Sequence, residues 1–125
     1  MNEPEFLTLE DALGIINALG VGPIRDLGLL DSALARPRSS AFGFDAYEAL
    51  EFKASALLHS LVKNHSLIDG NKRLGWMCTV IFLRLNDRVS DLTTIDAFNL
   101  VNDIASGSLE LDEIARRLQI SVRLS

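Results

Sequence analysis

The sequence predicts an all-α fold, a compact bundle of about six helices forming one domain over residues 1–125. Three observations lead there. Apolar residues recur at three- and four-residue intervals in successive segments, which is the spacing of helices with one buried stripe. Gly, Pro and Asn-Asp breaks separate those segments, and no repeat, low-complexity tract or linker interrupts the series. Hydrophobic residues make up 48% of 125, enough to build a core without staples.

Thr8 can cap a first helix in which Leu9, Ala12, Leu13, Ile16 and Leu19 keep helical spacing, with Glu10 and Asp11 in its first turn. Gly20 and Gly22-Pro23 end it. Asp26 to Ala35 reads as a shorter second helix on the recurrence of Leu27, Leu30 and Leu34, and Pro37 stops it. From Arg36 to Asp45 a Pro, two Ser and a Gly surround Phe42 and Phe44 without a sustained period, so this stretch reads as a partly ordered loop or flap. Ala46 to about Lys63 is a long helix with one broad stripe of Leu50, Ala54, Leu57, Leu58 and Leu61, free of Gly and Pro. After the polar break Asn64–Gly70, the segment Asn71–Asn86 carries Leu74, Trp76, Met77, Val80, Ile81, Leu83 and Leu85. It is apolar nearly all round, which marks a central helix. Asn86-Asp87 ends it, and the chain around Val89 admits a short β-element. Thr93 or Thr94 caps a helix through about Ala105, and Gly107-Ser108 precedes a last helix to about Leu118.

Composition narrows the function classes. The single cysteine, Cys78, sits in an apolar run and has no partner within the chain, which fits a reducing cytoplasm. No charged and then apolar opening marks a signal peptide, and the apolar runs are too short and interrupted to span a bilayer. A net charge of −5 repels phosphate backbones at long range, so no direct nucleic-acid partner is expected. His59 lies six residues from His65, a spacing that does not bring two ligands onto one helical face, and there are no cysteine companions for a zinc site. His59 therefore reads as a satisfied helix residue. Trp76 reads as core rather than cofactor contact, and Lys53, Lys63, Arg84 and Arg88 as solvated or ion-paired.

The chemistry concentrates in His65-Ser66-Leu67-Ile68-Asp69-Gly70-Asn71-Lys72-Arg73. A helix N-terminus presents unpaired backbone N–H groups and partial positive charge, which favour phosphate. Gly70 allows close backbone approach, and Lys72 and Arg73 add full charges, Arg in a bidentate fork and Lys as a mobile point charge. His65 offers an imidazole that can accept a proton from an attacking hydroxyl. Asp69 is a natural oxygen ligand for magnesium bridging nucleotide phosphates. The same residue types also suit ordinary helix capping, and composition alone leaves the two readings even.

The run His65 to Arg73 resembles the Fic-family signature His-Pro-Phe-x-(Asp/Glu)-(Gly/Ala)-Asn-(Gly/Lys)-Arg, in the Lys form of the Doc ("death on curing") branch. Asp26–Pro37, Ile81–Asn86 and Ala105–Leu109 look like the same branch, so the resemblance spans most of the chain. It implies a Fic/Doc-type helical bundle and a toxin of a toxin–antitoxin pair. The implied activity is transfer of the γ-phosphate of ATP, with Mg²⁺, to a Thr of elongation factor Tu, which halts translation. In that reading His65, Asp69 and Arg73 are catalytic, Asp69 also holds the metal, and Gly70, Asn71, Lys72 and Arg73 bind the nucleotide. The implied partner is a Phd-type antitoxin whose folding segment docks in a groove of the bundle. Ser66 stands where the signature has Pro and Leu67 where it has Phe, a side chain expected to point into the core and hold the loop. Trp76 replaces a second Arg and Lys72 a Gly of AMP-transferring Fic enzymes, and both changes point away from AMP transfer. Two alternatives stand beside the kinase: an AMP-transferring enzyme, and a catalytically weak module that only binds antitoxin. Phe42 and Phe44 either form a flap that reaches the target or cover the core, and Arg25 and Arg36 are candidate aids to target binding.

Overall fold

The computed structural model describes residues 3–124. Six helices follow one another: α1 Leu9–Leu19, α2 Leu27–Ala35, α3 Leu50–Lys63, α4 Asn71–Leu85, α5 Thr94–Ser106 and α6 Leu111–Arg117. Two antiparallel strand pairs accompany them, β1 Ser40–Ala41 with β2 Phe44–Asp45, and β3 Arg88–Ser90 with β4 Ile120–Val122. The fold is mostly α, as the spacing predicts.

Side-chain caps set several helix starts. The Thr8 hydroxyl accepts from the Asp11 N–H at 3.1 Å while the Asp11 carboxylate accepts from the Thr8 N–H at 2.9 Å, a reciprocal box that satisfies two groups left free by the helix start. Gly20 closes α1 in the left-handed conformation that a side chain would disfavour. Asp26 caps α2 through the Leu29 N–H at 2.9 Å, and Thr93, not Thr94, caps α5 through the Asp96 N–H. At the end of α4 the Asn86 amide donates to the carbonyls of Phe82 and Glu5 and accepts from the Glu5 N–H, tying the N-terminal segment to this helix.

Three boundaries or roles differ from the sequence expectation, and the β-element admitted near Val89 acquires a distant partner. The third helix begins at Leu50 rather than Ala46, because the intervening residues close the β1–β2 hairpin: the Ala46 N–H bonds the Ser39 carbonyl at 2.9 Å, and the Tyr47 carbonyl accepts from the Lys53 amine. The expected loop from Arg36 to Asp45 contains a short 3₁₀ turn, Arg36–Arg38, and that hairpin. The β-element near Val89 exists, but its partner β4 lies beyond the last helix, where Gln119 turns the chain back at φ 50°. Finally, α3 and not α4 is the innermost helix. It packs most extensively on α4 and also touches α2, α5 and α6, and residues 53–58 are all buried. On α4, Leu74, Cys78, Phe82 and Leu83 are buried while Val80 and Ile81 are half-buried and Leu85 is exposed. Gly75 allows the two helices to approach closely, since an added Cβ would lie 2.9 Å from the Val62 side chain. Among the described residues no helix is long and apolar enough to cross a membrane.

Candidate active site

The α3–α4 pair holds the loop His65–Gly70 at one end of the core. Two of its side chains point inward: Ser66 is fully buried and Leu67 is 1% exposed within the hydrophobic cluster. Leu67 thus takes the inward position expected of it. Asn71 then clamps the same residue from both sides, accepting from the Leu67 N–H at 3.0 Å and donating to the Leu67 carbonyl at 2.9 Å. The connection between α1 and α2 runs alongside as a strap. The Gly22 N–H bonds the Asp69 carbonyl, the Ile68 N–H bonds the Pro23 carbonyl, and the N–H groups of Arg25 and Asp26 both reach the Ser66 carbonyl. Gly70 sits at φ 95° against this strap, and a Cβ there would lie 2.5 Å from Val21. Its glycine is required for left-handed backbone and for contact with the strap, whatever else it does.

The side chains that remain free face one cavity of about 810 Å³ between the start of α4 and α5. His65, Asp69, Lys72 and Arg73 line it together with the apolar side chains of Trp76, Phe98 and Val101. His65, at φ 54°, and Asp69 are both exposed. Among the described residues the side chains of His65, Asp69 and Arg73 make no hydrogen bond or ion pair to another side chain or to backbone, so all three are available to a ligand. Lys72 bonds the Asn102 side chain across the cavity mouth at 2.9 Å, leaving two of the three ammonium donors a lysine carries. A base, an acid able to hold a hard cation and two cations therefore share a concave site at a helix N-terminus. Among the described residues no group of three or more His, Cys, Asp or Glu could cage a metal. One free carboxylate beside two cations fits magnesium instead, an ion commonly held by one or two carboxylates, waters and the phosphates of a bound nucleotide.

The Fic/DOC family model matches residues 2–83, which take in α1 to α3, the strap, the whole loop and all but the last two residues of α4. The chain belongs to the Fic/DOC family. It is also 44% identical over 118 residues to a protein named Toxin Doc from Mycolicibacterium smegmatis, a match covering 91% of each chain. The mostly helical bundle agrees with the Fic/Doc resemblance, and the loop between α3 and α4 is the stretch that carries the family signature.

Other residues singled out in the sequence fall into clear places. Phe42 is 100% exposed and Phe44 72% exposed on the hairpin, so neither covers the core. Trp76 does two things, packing on the core and walling the cavity. Lys53 is buried rather than solvated and pairs with Asp45 at 3.3 Å. Arg36 is occupied: its guanidinium donates to the Tyr47 hydroxyl at 2.9 Å, the Ser60 hydroxyl at 2.9 Å and His59 Nδ1 at 3.1 Å. Because Arg36 can only donate, Nδ1 must accept, which leaves His59 neutral with its proton on Nε2. Burial first, then Arg36 and Lys63, hold the His59 pKa below its ordinary value. Burial pushes the Cys78 thiol up to about 12, so it is inert. Sequence reasoning missed the strap, whose bonds join residues some forty positions apart, and it missed where Arg25 goes: Nε donates to the His65 carbonyl at 2.8 Å.

Proposed function

We propose that this chain is the toxin of a toxin–antitoxin pair and transfers the γ-phosphate of ATP to a threonine of elongation factor Tu. The observation that carries the reading is the division of labour within the motif. Leu67, Gly70 and Asn71 are committed to holding the loop, whereas His65, Asp69 and Arg73 stay unpaired and face one cavity. Such a division suits a preorganised site, in which the reacting groups do not reorganise when charge develops. The firm seat of Leu67 speaks against a slack, merely antitoxin-binding loop.

His65 would remove the proton from the acceptor hydroxyl as its oxygen forms a bond to the γ-phosphorus. The bond from that phosphorus to the β–γ bridging oxygen breaks, and ADP leaves. Arg73 and the N–H groups at the start of α4 would offset the charge on the transferring group, with Lys72 beside it adding a point charge. Asp69 would hold the magnesium, which when bound supplies neutralisation of the nucleotide phosphates. Asn71 spends one N–H and one oxygen lone pair of its amide on Leu67, so its contribution to nucleotide binding would come chiefly through loop geometry.

Lys72 and Trp76 favour the γ-phosphate over AMP. The Lys side chain adds bulk and charge where AMP-transferring relatives have Gly, and Trp76 removes a second cation that would steady the far phosphates in their pose. The test is incubation with elongation factor Tu, magnesium and ATP labelled at either the α or the γ position. Label from the γ-phosphate should reach the target, and a His65→Ala variant should retain little of it, since a positioned base contributes roughly 10²–10⁴-fold. Transfer of α-label with a mass gain of AMP would replace the kinase by an AMP transferase.

The same cavity is the proposed seat of an antitoxin segment. Its apolar wall continues to Phe98, 67% exposed, and Ile95 nearby on α5 is 72% exposed. A segment that folds on binding must bury apolar area to offset its ordering entropy, and this wall offers it.

A further inference from the structure

We infer that Arg25 is a positioning residue for the His65 base, acting through the backbone of the loop and not through contact with substrate. The inference rests on the phosphotransfer reading for its kinetic consequence, but its geometry stands independently. Arg25 lies on the strap before α2, facing the end of α3. Its Nε donates to the His65 carbonyl at 2.8 Å, and its Nη2 lies 3.4 Å from the Asn64 carbonyl. Its own N–H donates to the Ser66 carbonyl at 2.7 Å. One residue thus holds three successive carbonyls around the base.

Those carbonyls need a holder. His65 occupies the left-handed region at φ 54°, a conformation that a residue bearing a Cβ adopts only when its surroundings enforce it. Its side chain makes no hydrogen bond or ion pair among the described residues, so no polar contact of the ring itself orients the imidazole and the loop backbone is what aims it. The Asn64 carbonyl belongs to the C-cap of α3, where unpaired acceptors and partial negative charge favour a guanidinium. The planar fork of Arg suits adjacent carbonyls in a way that the single ammonium of Lys does not. The neighbouring strap bonds, Ile68 N–H to Pro23 and Gly22 N–H to Asp69, fix the far half of the loop; on the near half the Asp26 N–H shares the Ser66 carbonyl and the Asn64 amide donates to the Leu29 carbonyl, but the His65 carbonyl is held by the Arg25 guanidinium.

Arg25 is itself exposed, so its hydrogen bonds compete with water and add little to overall stability. A positioning role and a structural role therefore separate experimentally. In Arg25→Met, kcat for phosphorylation of elongation factor Tu should fall about tenfold or more, since small misplacements of a reacting group are costly. The KM values for ATP and for the protein target should stay within about twofold, the thermal midpoint should move little, and Arg25→Lys should recover part of the rate. Carbon relaxation of the His65 imidazole should show increased motion in Arg25→Met, with the His59 ring as an internal reference. That arm needs no turnover: a wild type inactive on elongation factor Tu overturns the kinase reading while the relaxation still decides the role of Arg25. Unchanged kcat together with unchanged His65 relaxation would overturn the inference. So would a raised KM for the protein target at constant kcat, which would make Arg25 a docking residue.

Discussion

Ser66 combines two costs that a different residue would avoid. It is fully buried, and its hydroxyl finds no hydrogen-bond partner among the described residues. A buried unpaired hydroxyl typically costs about 1–3 kcal/mol of desolvation. Ser66→Ala should therefore raise stability by about 1 kcal/mol, read as a higher midpoint in thermal or urea unfolding, because the backbone bonds through the Ser66 carbonyl are untouched. A lowered midpoint would mean the hydroxyl has a partner, such as an ordered water, that supports the loop. The role of residue 67 was legible in the sequence, since an apolar side chain amid a polar loop has few places to go but inward. That Gly70 is required by Val21 was not, because the clash is with a segment distant in sequence.

At the scale of elements, signals confined to one turn were readable and signals that join distant segments were not. The Thr8 cap, the Gly20 stop and the start of α4 at Asn71 all depend on local residues, and each falls where the sequence places it, while Asp26, read as the first residue of its helix, caps it instead. The hairpin at Ser40–Asp45 has strands of two residues, too short to show alternation, and β4 exists only because β3 lies across from it. Burial of Lys53 on α3 escaped notice for the same reason: its partner carboxylate is supplied by the hairpin. His59, on the same helix, gives the fold a pH dependence with a definite sign. Its folded-state pKa lies below the ordinary 6.5, so the folded protein binds fewer protons than the unfolded chain in that range. Its stabilising contribution is full above pH 6.5 and is lost as pH falls through the folded-state value. Protonation would bring a second positive charge against the Arg36 guanidinium. Unfolding midpoints should decline on going below pH 6.5, and His59→Gln should flatten the part of the decline that precedes carboxylate titration. An identical pH profile in the variant would remove His59 as the cause.

Across the whole molecule, one cavity is the proposed place of both the transfer chemistry and the antitoxin, and this has a consequence for binding. The motif end supplies charge through Lys72 and Arg73, and the α5 end supplies apolar surface through Phe98 and Val101. In a chain of net charge −5, the motif end is a local concentration of positive charge suited to nucleotide phosphates. A peptide that folds on binding draws its affinity chiefly from buried apolar area, and so should depend on the other end. Phe98→Asp separates the two. Residue 98 is mostly exposed on α5, so the change removes little core packing and should leave the fold intact. It places a charge on the wall where an antitoxin side chain would be buried, and an unpaired charge there is costly to desolvate. The variant should bind the antitoxin at least about tenfold more weakly, a loss of about 1.4 kcal/mol, while its thermal midpoint and γ-phosphate transfer stay close to those of the parent. In cells it should remain toxic in the presence of the antitoxin. Unchanged antitoxin affinity would place the docking surface elsewhere on the bundle, and a parallel loss of transfer activity would show that the protein target or the nucleotide also reaches the α5 wall.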